Sequence, residues 1–200
     1  MDYKKLVLAA GFALTWFALT VQFIIMMQSG VTGVTDSIIR FFTYFTILSN
    51  GLTALSFTAS LFNFSPFFSS FKVQTAIAVY ISIVAIVYNS VLRFIWEPTG
   101  LQRLIDELLH VVNPFIFVLY WYMIQIKMSL AYRFTFKILI FPFVYLVSVL
   151  LIGRFSDHYP YPFLDANQIG YLNVFINSLG VTAAFVLVSL LFIFINNRRI

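Results

Sequence analysis

Hydrophobic residues run through this chain in long continuous stretches, interrupted where Gly, Pro, Ser, Asn and charged residues collect. The stretches fall at 6–27, 38–62, 73–95, 107–127, 137–153 and 169–195. A bilayer's hydrocarbon core takes ~20 apolar residues of α-helix, so each stretch predicts a membrane-crossing helix. The first follows Lys4 and Lys5 as a signal peptide's core would. It is longer than the about 7–15 residues of such a core, which predicts a retained helix. A membrane β-barrel would alternate apolar and polar residues over segments of about ten, and these runs do not. The predicted fold is all-α, a six-transmembrane-helix bundle forming one domain over residues 1–200, without an internal repeat or a linker long enough to separate domains.

Composition narrows the function classes. The chain is 62% hydrophobic and 10% charged, against about 25% charged in a soluble domain. It has no cysteine, which excludes disulfides, thiolate metal sites and cysteine nucleophiles. The net charge of +5 sits at the ends of the stretches, where it bears on topology rather than on nucleic acid.

With the amino terminus in the cytoplasm, Lys4, Lys5, Lys72, Lys127, Arg133, Lys137, Arg198 and Arg199 fall inside, and Arg40, Arg93, Arg103 and Arg154 outside. Eight basic residues against four satisfy the positive-inside rule, so both termini are expected in the cytoplasm. Of the acids only Asp2 falls inside. Trp96, Tyr120, Trp121, Tyr122, Tyr159 and Tyr161 near the stretch ends read as interfacial anchors.

Polar side chains inside hydrocarbon are costly unless paired or facing a cavity, so their placement is informative. Arg40, Thr43, Thr46 and Asn50 recur at the spacing of one helical face on the second stretch. Asp106, His110 and Asn113 do so on the fourth. Tyr88, Asn89 and Arg93 end the third, and Asn173 and Asn177 open the sixth. At 1.5 Å per residue, Thr46 is expected roughly 10 Å and His110 roughly 5 Å below the outer ends of their helices.

A buried neutral imidazole can accept a proton, and a threonine hydroxyl becomes a useful nucleophile only beside such a base. Thr46 and His110 are therefore the candidate pair. Asp106, one turn before His110, is a candidate to orient the imidazole. Asn50, Asn89 and Asn113 are candidate donors to an oxyanion, and Arg40 and Arg93 candidate substrate-binding groups. Each has a plainer reading. Threonines bond back to carbonyls one turn earlier, asparagines tie helices together, and arginines pair with acids or snorkel to phosphates. A metal held by His110, His158 and Asp157 or Asp165 lacks ligand spacing, and no metal or cofactor is expected.

The segments Arg40-Phe-Phe-Thr-Tyr-Phe-Thr-Ile-Leu-Ser-Asn50, Leu109-His-Val-Val-Asn-Pro114 and Tyr159-Pro-Tyr-Pro-Phe-Leu-Asp165 resemble a prokaryotic family of six-helix membrane proteins. That family is distantly similar to the eukaryotic androgen-induced protein and androgen-dependent TFPI-regulating protein, transmembrane threonine hydrolases of fatty acid esters of hydroxy fatty acids. The likeness to the eukaryotic proteins covers Tyr44-Phe-Thr46 and the histidine before a proline. It implies Thr46 as nucleophile, His110 as its base, a lipid or fatty acyl ester as substrate, and a bacterial inner membrane as location. The residues around His110 and the interhelical loops depart from the eukaryotic pattern, which leaves the substrate less defined than the chemistry. The alternatives are a small-solute or proton-coupled transporter or receptor using Arg40, Arg93, Asp106 and His110, and an assembly partner whose polar residues only join helices.

Overall fold

The computed structural model describes residues 3–28, 33–124 and 128–200. Asp2 and Lys127, both counted in the charge pattern above, lie outside the described residues. Among these the chain is helical and has no β-strand. Six helical segments are long and apolar enough to cross a membrane: Tyr3–Gln28, Phe45–Phe62, Phe71–Phe94, Gly100–Met123, Phe134–Ser156 and Ala166–Asn197. The protein is an integral, multi-pass membrane protein of the all-α class.

The chain forms two compact units, Met1–Ile126 and Lys127–Ile200. In the first, α1 (Tyr3–Gln28), α3 (Phe45–Phe62), α4 (Phe71–Ser90) and α6 (Asn113–Met123) pack in a cycle, α1 on α3, α3 on α4, α4 on α6 and α6 on α1. Lipid tails are as apolar as leucine, so close packing rather than water expulsion must hold such helices together. Small residues on α1 serve this: Gly11, Thr15 and Ala18 are buried, and a Cβ at Gly11 would run into the Phe57 ring of α3. Phe57 in turn packs edge-on against Phe117 of α6, with ring centroids 5.2 Å apart. Trp121 Nε1 donates to Thr75 Oγ1 at 2.9 Å, joining α6 to α4.

The second stretch is not one helix. It divides into α2 (Val34–Thr43) and α3, because Tyr44 is extended, with φ −82° and ψ 122°. The surrounding Phe-Phe-Thr-Tyr-Phe run is aromatic and β-branched, residue types that lose rotamer freedom in a helix. Thr43 Oγ1 donates to the Arg40 carbonyl at 2.7 Å, closing the last turn of α2. The Tyr44 carbonyl accepts from the Ile47 and Leu48 amides, opening α3. The expected crossing at 38–62 is thereby shortened to Phe45–Phe62.

The fourth crossing starts earlier than its apolar run. It comprises α5 (Gly100–Glu107), a π-helical turn at Leu108–Val112, and α6. Pro114 explains the turn. A proline has no amide hydrogen, and its ring presses on the carbonyl four residues back, here that of His110. One wide turn immediately before the proline relieves the conflict.

The second unit holds α7 (Phe134–Ile138), α8 (Ile140–Ser156) and α9 (Ala166–Asn197). Asp165 caps α9 by accepting from the Asn167 and Gln168 amides. Gly153 lets the Tyr159 ring lie against α8, where a Cβ would collide with it. Asn196 and Asn197 bond the main chain at Met128 and Leu130.

Candidate functional site

Thr46 is the second residue of α3, and His110 is the middle residue of the π turn. Both are buried, Thr46 at 7% and His110 at 9% exposure. The Thr46 hydroxyl and His110 Nε2 lie 3.3 Å apart. His110 Nδ1 lies 2.8 Å from the Asp106 carbonyl oxygen. A carbonyl can only accept, so Nδ1 carries the proton of the neutral ring. Nε2 is then the lone-pair nitrogen, and the Thr46 hydroxyl donates to it. This is the polarity a general base needs.

Asp106 contributes its main chain, and here the sequence expectation is corrected. Its carboxylate does not face the imidazole. It accepts from Trp96 Nε1 at 2.6 Å and from Gln102 Nε2 at 3.1 Å, and Gln102 also donates to Gln22 Oε1 of α1 at 2.9 Å. Helical side chains tilt toward the helix amino terminus, which carries the His110 ring back to the carbonyl one turn earlier.

The Tyr88 ring of α4 stacks on the imidazole, with centroids 3.9 Å and planes 11° apart. Arg93 lies over the Tyr88 ring at 5.3 Å and grips both Glu107 carboxylate oxygens at 2.6 and 2.7 Å. Arg93 is thus paired, exposed and one residue layer removed from the hydroxyl. Tyr88 was visible in the sequence only as a neighbour of Asn89. No spacing rule places residues 22 apart in the chain, on separate helices, face to face.

The asparagines divide. Asn50 is fully buried; its Nδ2 donates to the Thr46 carbonyl at 2.9 Å and to the Leu109 carbonyl at 3.1 Å. Its Oδ1 accepts from Asn113 Nδ2 at 3.1 Å. Both Asn50 amide hydrogens are committed, so this side chain frames the pair instead of facing an oxyanion. Asn89 is exposed and donates to the Ala85 carbonyl at 2.8 Å, apart from the pair. Arg40 is partly buried on α2, near enough to Tyr44 for its charge to be felt there. The break at Tyr44 puts Arg40 and Thr43 on α2 and Thr46 and Asn50 on α3, so the four do not line one continuous helix face.

Asn173 and Asn177 belong to the second unit, where they donate to the Ile169 and Phe163 carbonyls. Near His158, Asp157 accepts from Asn167 at 3.0 Å and Asp165 caps α9. Among the described residues no three His, Asp or Glu side chains gather where they would hold a metal ion.

The apolar runs hid one signal that was present. Pro114 stands four residues after His110, the spacing that removes the amide partner of the His110 carbonyl and predicts a helix irregularity there.

Comparison with protein-family models, with curated proteins and with solved structures gives no match.

Proposed function

We propose that the protein is an intramembrane hydrolase of lipid esters in which Thr46 is the nucleophile and His110 its general base. The observation that carries this reading is the 3.3 Å approach of the Thr46 hydroxyl to His110 Nε2, with the tautomer set by the Nδ1 bond to the Asp106 carbonyl. The hydroxyl oxygen attacks the ester carbonyl while Nε2 takes its proton. The tetrahedral intermediate expels the alcohol, which leaves with that proton, and an acyl-threonine remains. Water, deprotonated by the same nitrogen, attacks the acyl group and releases the fatty acid, restoring the hydroxyl. Thr46 lies in the first turn of α3, where the positive end of the helix dipole favours negative charge on the carbonyl oxygen.

The resemblance favours fatty acid esters of hydroxy fatty acids as substrates. With the cytoplasmic termini expected from the basic residues, Thr46 lies toward the outer leaflet of a bacterial inner membrane. Protein purified in detergent should react with a fluorophosphonate probe and turn over long-chain esters, and Thr46→Ala should lose both. Undiminished activity in that variant overturns the assignment.

One observation favours a transporter as the second reading. Asp106 is a buried carboxylate held by neutral donors, Trp96 and Gln102, and ionisable groups of this kind mark proton paths in membranes. Proteoliposome uptake that survives Thr46→Val but is lost in Asp106→Asn would select it.

A further inference from the structure

The Leu109 carbonyl lacks the main-chain donors that a regular helix or a π turn would give it. In a regular α-helix it would accept the Asn113 amide, but that hydrogen goes to Leu108, five residues back. The residue five after Leu109 is Pro114, which has no hydrogen to give. A bare carbonyl inside a membrane is costly, and Asn50 Nδ2 meets this one at 3.1 Å.

The other hydrogen of the same nitrogen goes to the Thr46 carbonyl at 2.9 Å. Asn113 donates to Asn50 Oδ1 at 3.1 Å, which fixes the way the carboxamide faces. One side chain at 0% exposure thus joins the main chain of Thr46 to the residue preceding His110. The Thr46 to His110 contact, at 3.3 Å, is long for a hydroxyl bond, so a small slip between α3 and the π turn would break it.

We propose that Asn50 is a positioning residue: its carboxamide, clamped between the Thr46 carbonyl and the Leu109 carbonyl released by Pro114, sets the hydrogen bond between Thr46 and His110. The role in catalysis rests on Thr46 and His110 being the reacting pair; the geometric claim does not. Mere helix glue would make Asn50 matter for melting and for nothing else.

The test uses full-length protein carrying His158→Gln, so that His110 is the sole histidine, with ¹⁵N-labelled histidine in detergent micelles. Wild-type spectra should show a protonated Nδ1 and a hydrogen-bonded, unprotonated Nε2. In Asn50→Ala, and in Asn50→Leu, which keeps the size but has no donor, the Nε2 resonance should move toward that of an unbonded nitrogen. Fluorophosphonate labelling of the folded fraction should fall on the order of 10²-fold, the scale of a misplaced reacting group, and ester turnover should lose kcat with KM little changed. If both variants fail to fold, Pro114→Ala decides. It is benign to a helix, supplies a competing amide hydrogen to the Leu109 carbonyl, and should shift the resonance in the same direction.

A folded Asn50 variant with an unmoved Nε2 resonance and unchanged labelling overturns the proposal, whatever its melting temperature. If wild type never labels at Thr46 yet the resonance responds to Asn50, the hydrolase reading falls and the positioning role stands.

Discussion

His110 is oriented by a carbonyl, and this separates it from a triad in which a carboxylate holds the imidazole. Removing the carboxylate charge of such a triad costs about 10⁴-fold in kcat through loss of the correct tautomer. Asp106→Asn keeps the main-chain carbonyl at its 2.8 Å distance, so ester turnover should stay within a few-fold of wild type; a loss on the triad scale would show that the carboxylate is the true partner. Tyr88→Phe should retain the stack on the imidazole and the labelling rate. Tyr88→Leu should slow labelling by about tenfold, in line with the ~0.5–1.5 kcal/mol that aromatic pairs add beyond burial. The sequence made Thr46 and His110 visible because hydroxyl and imidazole groups are conspicuous among apolar neighbours. It could not distinguish the carbonyl of Asp106 from its side chain, since both lie one turn before His110. Nor could it separate Asn50, which is clamped between two carbonyls, from Asn89, which is exposed on the surface.

Hydropathy located the six crossings, since runs of this length have few alternatives in lipid. The ends moved where conformation, not hydropathy, decides. Tyr44 is extended within an aromatic run that has no glycine, proline or charge between residues 41 and 45, so nothing in the pattern marks the break. Gln102 and Arg103 kept the fourth stretch from being read back to Gly100, although Gln102 and Asp106 share a helix face and a hydrogen bond. The contact between α1 and α3 depends on the missing side chain at Gly11, which faces the Phe57 ring. Gly11→Val should destabilise the protein by about 1–3 kcal/mol, the range for overpacked cores, visible as a lower melting temperature in detergent. Gly51, with nothing close to its Cβ position, should accept alanine without that loss.

At the scale of the molecule, the charge pattern is the basis for orientation. The natural chain has no cysteine, so single reporters can be introduced cleanly. A cysteine at Thr99 should react with an impermeant maleimide in intact cells, and one at Ser65 only after permeabilisation; the reverse pattern would invert the topology. The two units fold around different devices, the first around a cycle of four helices and the second around α7, which packs on both α8 and α9, and an asparagine-tied connection at Met128 and Leu130. The break at Tyr44 has a consequence for the surrounding lipid. α3 has 18 residues, roughly 27 Å of rise, against a hydrocarbon thickness of about 30 Å. Thinning of the bilayer around a helix shorter than its slab would bring Thr46, near the start of α3, toward the layer where acyl tails give way to glycerol and water. Hydrolysis should accordingly decline as the protein is reconstituted in phosphatidylcholines of increasing chain length, because thicker leaflets draw the hydroxyl below the layer in which ester groups and water meet.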